Sequence, residues 1–234
     1  MSDILSIGAG AAQLYRQSLA TVSNNIANLN TEGYSRQVAT STESMPSQQG
    51  TVFIGTGARL DNITRAYDEF IESSLRDSNS DLSTQEPMIS YANRIVDLMG
   101  SQTSGLSSAL DKFFATASDL SADPASTIQR NMFVRDAEGL ASRFRELSGH
   151  LSAIETESQS GITLQVSTVN TLTKQLATIN TQLNGKISIA KQPAGLLDQR
   201  DQVLRDLSDI SKIHISEAPS GEVSVRLGSS SGSL

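Results

Sequence analysis

Ser2–Gln37, SDILSIGAGAAQLYRQSLATVSNNIANLNTEGYSRQ, is the stretch on which the reading of this 234-residue chain turns. Leu5, Gly8, Ala12, Tyr15, Leu19, Val22, Ile26 and Leu29 are apolar or small, and the gaps between them alternate between three and four. That alternation is a heptad seam along one helix, about 37 Å long from Leu5 to Leu29 at 1.5 Å per residue. Gly8 and Gly10 each cost about 1 kcal/mol relative to Ala in a helix interior, and the alanines between them bury little surface. The helix is therefore marginal alone, and its stripe calls for another helix, from elsewhere in the chain or from a second copy. Asn28, Asn30, Thr31 and Gly33 then stop it, because Asn and Gly tolerate left-handed angles and short polar side chains bond nearby main chain.

The string from Asn24 to Gln37, NNIANLNTEGYSRQ, resembles the N-terminal signature of the bacterial flagellar axial proteins, the rod, hook and hook-associated families. Ala27, Asn28, Asn30, Thr31, Gly33 and Tyr34 match that signature position by position. The continuation Ser35, Arg36, Gln37 is most similar to the hook-associated protein 1 family, which forms the first of two hook–filament junction layers. A second motif of that family, L-L-D-Q-R-D, is matched without a gap by Leu196–Asp201, with Asp198, Gln199, Arg200 and Asp201 at its polar positions. GARLDNITRAYDEF is a third point of similarity, through Ile63, Arg65, Asp68 and Phe70.

Composition agrees with an elongated helical protein. Aromatic residues are 4% and Trp is absent, too few for a thick globular core but enough for helix-on-helix seams of Leu, Ile, Val and Ala. Lys plus Arg number 18 against 25 Asp plus Glu, for a net charge of −7, and no basic stripe interleaves with aromatics, which disfavours nucleic acid. The absence of Cys excludes disulfides and thiolate metal sites. ILSIGAGAA lacks a positive flank and continues the heptad stripe, so cleavage as a secretory signal is not expected. No run approaches the ~18 apolar residues of a membrane span.

In chain order, residues 1–34 read as the axial helix and 35–62 as an extended connector in which only TVFI is strand-like. Residues 63–212 read as a helical bundle and 213–234 as a β-hairpin opening a further β-rich domain. Helical spacing resumes at Ile63 and continues to Met99, with a kink or break expected near Glu86 because Pro87 lies inside it. Leu106–Leu120 forms a short helix with Phe113 and Phe114 in its core. Asp123–Pro124 is a helix-initiation signal, and a long helix follows from about Ala125 to Asn184, its seam slipping phase at Ser158 and Gly161, either as a supercoil change or as a break. Asn184 and Gly185 supply its stop. IHISEAPSGEVSVRL alternates around a turn at Pro219–Glu222, and the closing GSSSGSL carries no structural signal.

Asp198 and Asp201 are not read as a metal or acid pair, since no His or third carboxylate shares their spacing. They are expected on the surface, Asp198 reaching Gln202 and Asp201 reaching Arg205 one helical turn on. His150 and His214 are too isolated for a ligand set, and there is no nucleophile motif or phosphate-binding loop. The expected fold class is thus mainly α, with no catalytic, cofactor or metal site.

The resemblance implies a structural flagellar subunit joining hook to filament, exported without a cleaved signal peptide and located in the extracellular flagellum. Its implied partners are copies of itself, the hook protein, the second junction protein and an export chaperone, the last through a C-terminal part beyond this chain; neither nucleic acid nor membrane is among them. Leu5, Ala12, Tyr15, Leu19, Val22, Ile26 and Leu29 are the expected assembly face. In the family this helix packs on a C-terminal helix absent here, so residues 3–30 are expected to be mobile or packed on another molecule. A rod or hook subunit, or a non-flagellar coiled-coil adaptor, are the alternatives.

Overall fold

The computed structural model describes residues 4–100, 105–183, 185 and 187–228. The elements run α1 (Ile4–Ala27), β1 (Gln37–Glu43), β2 (Ser47–Gln49), β3 (Val52–Ile54), β4 (Ala58–Arg65), α2 (Glu69–Gly100), α3 (Leu106–Ala122), α4 (Thr127–Gln182), a 3-10 turn (Ile189–Lys191), α5 (Ala194–Ser208), β5 (Ile213–Glu217) and β6 (Val223–Leu227). The chain is mainly α, as its periodicity predicts. It divides into two units, Met1–Asp81 with Val169–Leu234, and Leu82–Thr168. This division does not follow the sequential one, because α2 and α4 each contribute to both units.

In the first unit, residues 37–65 hold four strands rather than an extended connector with one strand-like run; that run, TVFI, supplies β3. β1 and β4 pair antiparallel from Gln37↔Arg65 to Glu43↔Ala58, with a bulge between Thr40 and Ser41, and β2 and β3 pair as a short hairpin within that loop. Ile63, expected to restart the helical pattern, lies in β4, and helix begins only at Glu69. The reason is local: Asp68 Oδ1 accepts from the amides of Phe70 (3.0 Å) and Ile71 (3.1 Å), the N-cap that starts α2. Helical spacing alone could not separate the strand's alternation from the first turn of the helix.

The core of this unit is built by α4, α5 and the β5–β6 hairpin. Leu172, Leu176, Ile179 and Leu183 of α4 meet Leu197, Leu204 and Leu207 of α5, and Ile213 and Val223 close the cluster from the hairpin. Asn180 fixes β6 to α4 by donating Nδ2 to Val223 O (2.8 Å) and accepting from Val223 N (3.1 Å), so its side-chain amide acts as one more strand residue. Ala218 and Glu222 close the turn of the hairpin at 2.8 Å, where the sequence places it.

α1 rests on the β1–β4 ribbon through Ile7, Leu14, Ser18, Thr21 and Asn25, which are half-buried or buried. This is not the apolar seam but the stripe one residue earlier over most of its length, and it is mostly small and polar. The seam itself points outward, with Tyr15 73% and Ile26 70% exposed. The helix thus has a support within its own chain that its sequence does not announce.

The second unit holds the distal part of α2, α3 and the proximal part of α4. Pro87 lies inside α2 and does not break it, and α4 likewise runs through Gly161 without interruption. Ser126 caps α4, its Oγ accepting from Gln129 N at 3.3 Å, so the helix starts at Thr127, within two residues of the expected Ala125. Phe113 packs on Phe133 of α4 with ring centroids 5.2 Å apart, whereas Phe114 is 63% exposed and meets Phe113 edge-on. Adjacent residues on a helix differ by 100°, so the two rings cannot both face one partner. Arg94 of α2 and Glu157 of α4 form an ion pair at 2.8 Å. The expected stop at Asn184 and residues 229–234 of the closing GSSSGSL lie outside the described residues.

Leu207 is wholly buried between α4 and α5. Leu207→Ala is expected to lower stability by about 3 kcal/mol in urea unfolding followed by circular dichroism. Leu75→Ala, at a 44% exposed position of α2, should cost far less.

Candidate functional site, a clasp between two motifs

The turn after α1 is built from its own polar side chains. Asn28 Nδ2 reaches Asn24 O (2.9 Å) and Asn24 Oδ1 (3.0 Å), Thr31 N bonds Asn28 O (3.0 Å), and Tyr34 N bonds Thr31 O (3.2 Å). Gly33 carries φ +78°, a backbone angle that requires glycine, and a Cβ there would also stand 2.9 Å from Gln202 Oε1 of α5, so that side chain would have to shift. Asn25 does the remaining work. Its Oδ1 accepts from Tyr34 Oη (2.7 Å) and Gln37 N (2.8 Å), and its Nδ2 donates to Gln37 O (2.9 Å), so one side chain holds the turn closed and starts β1.

That turn docks on the second motif. Ser35 N donates to Asp198 Oδ2 at 3.2 Å. Arg65, at the end of β4, bridges Asp198 Oδ1 (2.9 Å) and Asp201 Oδ2 (2.7 Å) through one Nη1 and lies 4.5 Å over the Tyr67 ring. Arg200 places Nε and Nη2 on Asp201 Oδ1 at 2.9 and 2.7 Å, and donates Nη1 to Gly221 O (2.6 Å) and to the Glu217 carboxylate. Asp198, Arg200 and Asp201 are each at least 94% buried as residues, at 6%, 1% and 1% exposure. One polar network therefore ties the turn after α1, β4, α5 and the β5–β6 hairpin.

The expected surface pairs of Asp198 with Gln202 and Asp201 with Arg205 do not form. Both carboxylates face inward to Arg65 and Arg200, while Gln202 donates to Asp206 (2.8 Å) and Arg205 pairs with Glu72 of α2 (3.0 Å). An i,i+4 contact within a helix is worth a few tenths of a kcal/mol, and two buried arginines outweigh it. Arg65 was legible only as a point of family similarity; Asn25, Glu217 and Tyr67 were not legible as members of this network, since Asn25 and Glu217 meet partners on other elements and Tyr67 enters only by packing on Arg65.

Burial works against the charge on Arg200, but Asp201 and then Glu217 outweigh it and raise its pKa above the ordinary arginine value. Burial, with Asp201 next, raises the Tyr67 phenol above 10.0, and Arg76 and Arg200 pull the other way. Burial and then Asp198 raise Tyr34 in the same sense. Among the described residues no group of three or more His, Asp or Glu is arranged to hold a metal ion, and no helix is long and apolar enough to cross a membrane.

Beside the clasp lies a groove of about 590 Å³, bounded by Gly33 and Tyr34, by Gln175 and Ile179 of α4, and by Gln199 and Val203 of α5. Its buried apolar residues are Ile179 and Val203, and Gln175, Gln182, Gln199 and Gln202 line it together with Glu32, Asp198 and Asp206.

Residues 5–34, the helix and turn that the clasp holds, match the family model described as flagella basal body rod protein. Residues 92–234, more than half of the chain, match the model described as the flagellar hook-associated protein FlgK helical domain, and the chain belongs to that family. It is 27% identical over 223 residues to flagellar hook-associated protein 1 of Salmonella typhimurium strain LT2, covering 94% of this chain and 40% of that protein. Against the proteins of the same name from Escherichia coli K12 and Bacillus subtilis 168 the identities are 24% and 26%, over 97% and 90% of this chain and 42% and 43% of theirs. The chain thus spans about two fifths of the length of these relatives. The flagellar hook junction protein FlgK from Burkholderia pseudomallei shares the fold, with a TM-score of 0.58 over 66% of this chain and 27% of that one, at 24% identity.

Removing Arg200 leaves Asp201, Glu217 and Gly221 O short of a donor. Arg200→Met is expected to cost about 3–5 kcal/mol in urea unfolding, and Arg200→Lys to recover only part, since an ammonium cannot serve Asp201 and Gly221 O together. Gly33→Ala should cost about 1–2 kcal/mol from the left-handed backbone alone. Adding Gln202→Ala should relieve the clash but not that remainder, which a double-mutant cycle resolves. A phenol whose folded pKa is raised contributes stability that is fully present below its unfolded value and lost as pH rises through the folded one. The urea midpoint should therefore begin to fall above about pH 10, and less steeply in Tyr67→Phe.

Proposed function

We propose that the chain is a structural subunit of the bacterial flagellum that joins hook to filament. The observation that carries this reading is the exposed apolar stripe of α1 in a chain of the hook-associated family. Leu5, Tyr15, Leu19, Val22, Ile26 and Leu29 are 51–79% exposed, and Ala12 is exposed between them, while the stripe one residue earlier on the same helix is held on β1 and β4. Leu75, Leu82, Ile89 and Val96 repeat the pattern on α2, one every seventh residue and 44–64% exposed. Faces of this size lower their free energy when they leave water, so each is a surface to be completed by a neighbour at the growing end.

In this reading α1 is the inner assembly segment, the clasp fixes the direction in which it leaves the ribbon, and the polar network replaces any catalytic role for Asp198, Arg200 and Asp201. The partners are copies of the chain, the hook protein, the second junction protein and an export chaperone, with export lacking signal cleavage. The match of residues 5–34 to the rod family favours a rod or hook subunit as the second reading; the match of residues 92–234 weighs against it.

Deletion of the full gene in frame, followed by electron microscopy and assay of the medium, separates the two. The junction role requires intact hooks without filaments and filament protein shed into the medium. Missing hooks would transfer the protein to the rod or hook, and normal filaments would end the flagellar reading.

A further inference from the structure

The β2–β3 hairpin is a surface with no counterpart in the helical readings above. Phe53 is 66% exposed and Val52 60%, on a strand of three residues paired with another of three, too short to be stable without support, and Met45, just ahead of β2, is 89% exposed. From Ser44 to Ala58 there is no charged residue, in a chain with a net charge of −7. Natural edge strands are ordinarily guarded by charge, and an apolar, uncharged, exposed tip marks an interaction site.

The first unit also holds a receptor of matching chemistry. The groove beside the clasp has an apolar floor at Ile179 and Val203 and amide walls at Gln175, Gln182 and Gln199, suited to a short strand of Ser47, Gln48 and Gln49 bearing one aromatic neighbour. Tip and groove lie at opposite ends of α1. At one end Ser44 N bonds Gly57 O (2.8 Å), and a Cβ on Gly57 would stand 3.2 Å from Ile7 Cγ2. At the other end Tyr34, which lines the groove, bonds Asn25 at 2.7 Å. Ile7 and Asn25 are about 27 Å apart along the helix, so the tip cannot reach the groove of its own rigid unit.

We infer that the β2–β3 tip of one copy docks in the Tyr34–Ile179–Val203 groove of the next, with Phe53 as its anchor. The inference rests on the reading that copies assemble, and names the contact through which they do so. Two different patches at opposite ends of one body make a heterologous, head-to-tail interface, which repeats from copy to copy instead of closing as a pair. An uncharged tip also brings no further negative charge to a groove whose rim carries Glu32 and Asp206, so like-charged copies can approach there.

The test uses the cysteine-free background of the chain within the full-length protein. Gln49→Cys at the tip and Gln175→Cys at the groove are placed together in the chromosomal gene, and isolated flagella are treated with a bis-maleimide and resolved on a denaturing gel. A ladder of multimers from the double variant, absent from either single variant and lost on adding Phe53→Asp, is the expected result. No ladder from flagella that contain the protein overturns the contact and leaves the assembly reading standing, as does a shifted monomer band or a cross-link to a different protein. Absence of the wild-type protein from flagella overturns both.

Discussion

The buried pairing of Arg65 and Arg200 with Asp198 and Asp201 is the constraint on which the first unit depends. Four segments meet there, only the last two of them neighbours in sequence: the turn after α1, the end of β4, the first turns of α5 and the β5–β6 hairpin. Charges taken out of water cost several kcal/mol each unless their remaining lone pairs and protons are satisfied. Here they are satisfied by Ser35 N, Gly221 O and Glu217, so only one relative placement of the four segments leaves no charge stranded. Hydrophobic contacts between α4 and α5 supply the favourable burial, and the ion network selects the arrangement.

This division of labour suits a chain with few aromatics. Helix seams of Leu, Ile and Val are tolerant of small slips, because one aliphatic layer resembles the next. A bidentate guanidinium on a carboxylate is not tolerant, since a shift of an ångström breaks the pair. The same logic governs α1, which gains little from burial against the ribbon. It is instead located by Asn25, whose one amide holds Tyr34 and both backbone groups of Gln37. A weakly packed helix with a sharply fixed exit is suited to presenting its outer stripe to something else.

The second unit shows how much a helical period can carry unaided. α4 keeps its helix through Gly161 and α2 through Pro87, although each residue is unfavourable there. A long helix has hydrogen bonds on both sides of such a residue, and the local cost is spread over turns that are already formed. Phe113 and Phe114 show the limit: the residue types predict a core, but only the direction of each ring relative to α4 decides that one is packed and the other exposed.

What the sequence determined by itself is what depends on neighbours within a few residues. The helical periods, the stop built from Asn28, Thr31 and Gly33, the hairpin at Pro219–Glu222 and the mainly α class are all of this kind, because backbone angles and side-chain spacing are local properties. The tertiary structure alone decided three things: that Gln37–Glu43 and Ala58–Arg65 are paired strands, that α1 turns its polar stripe inward and its apolar seam outward, and that Asp198 and Asp201 face Arg65 and Arg200 rather than Gln202 and Arg205. Each is a choice among partners, settled by which distant group arrives with the right charge or surface, and spacing along one segment carries no record of it.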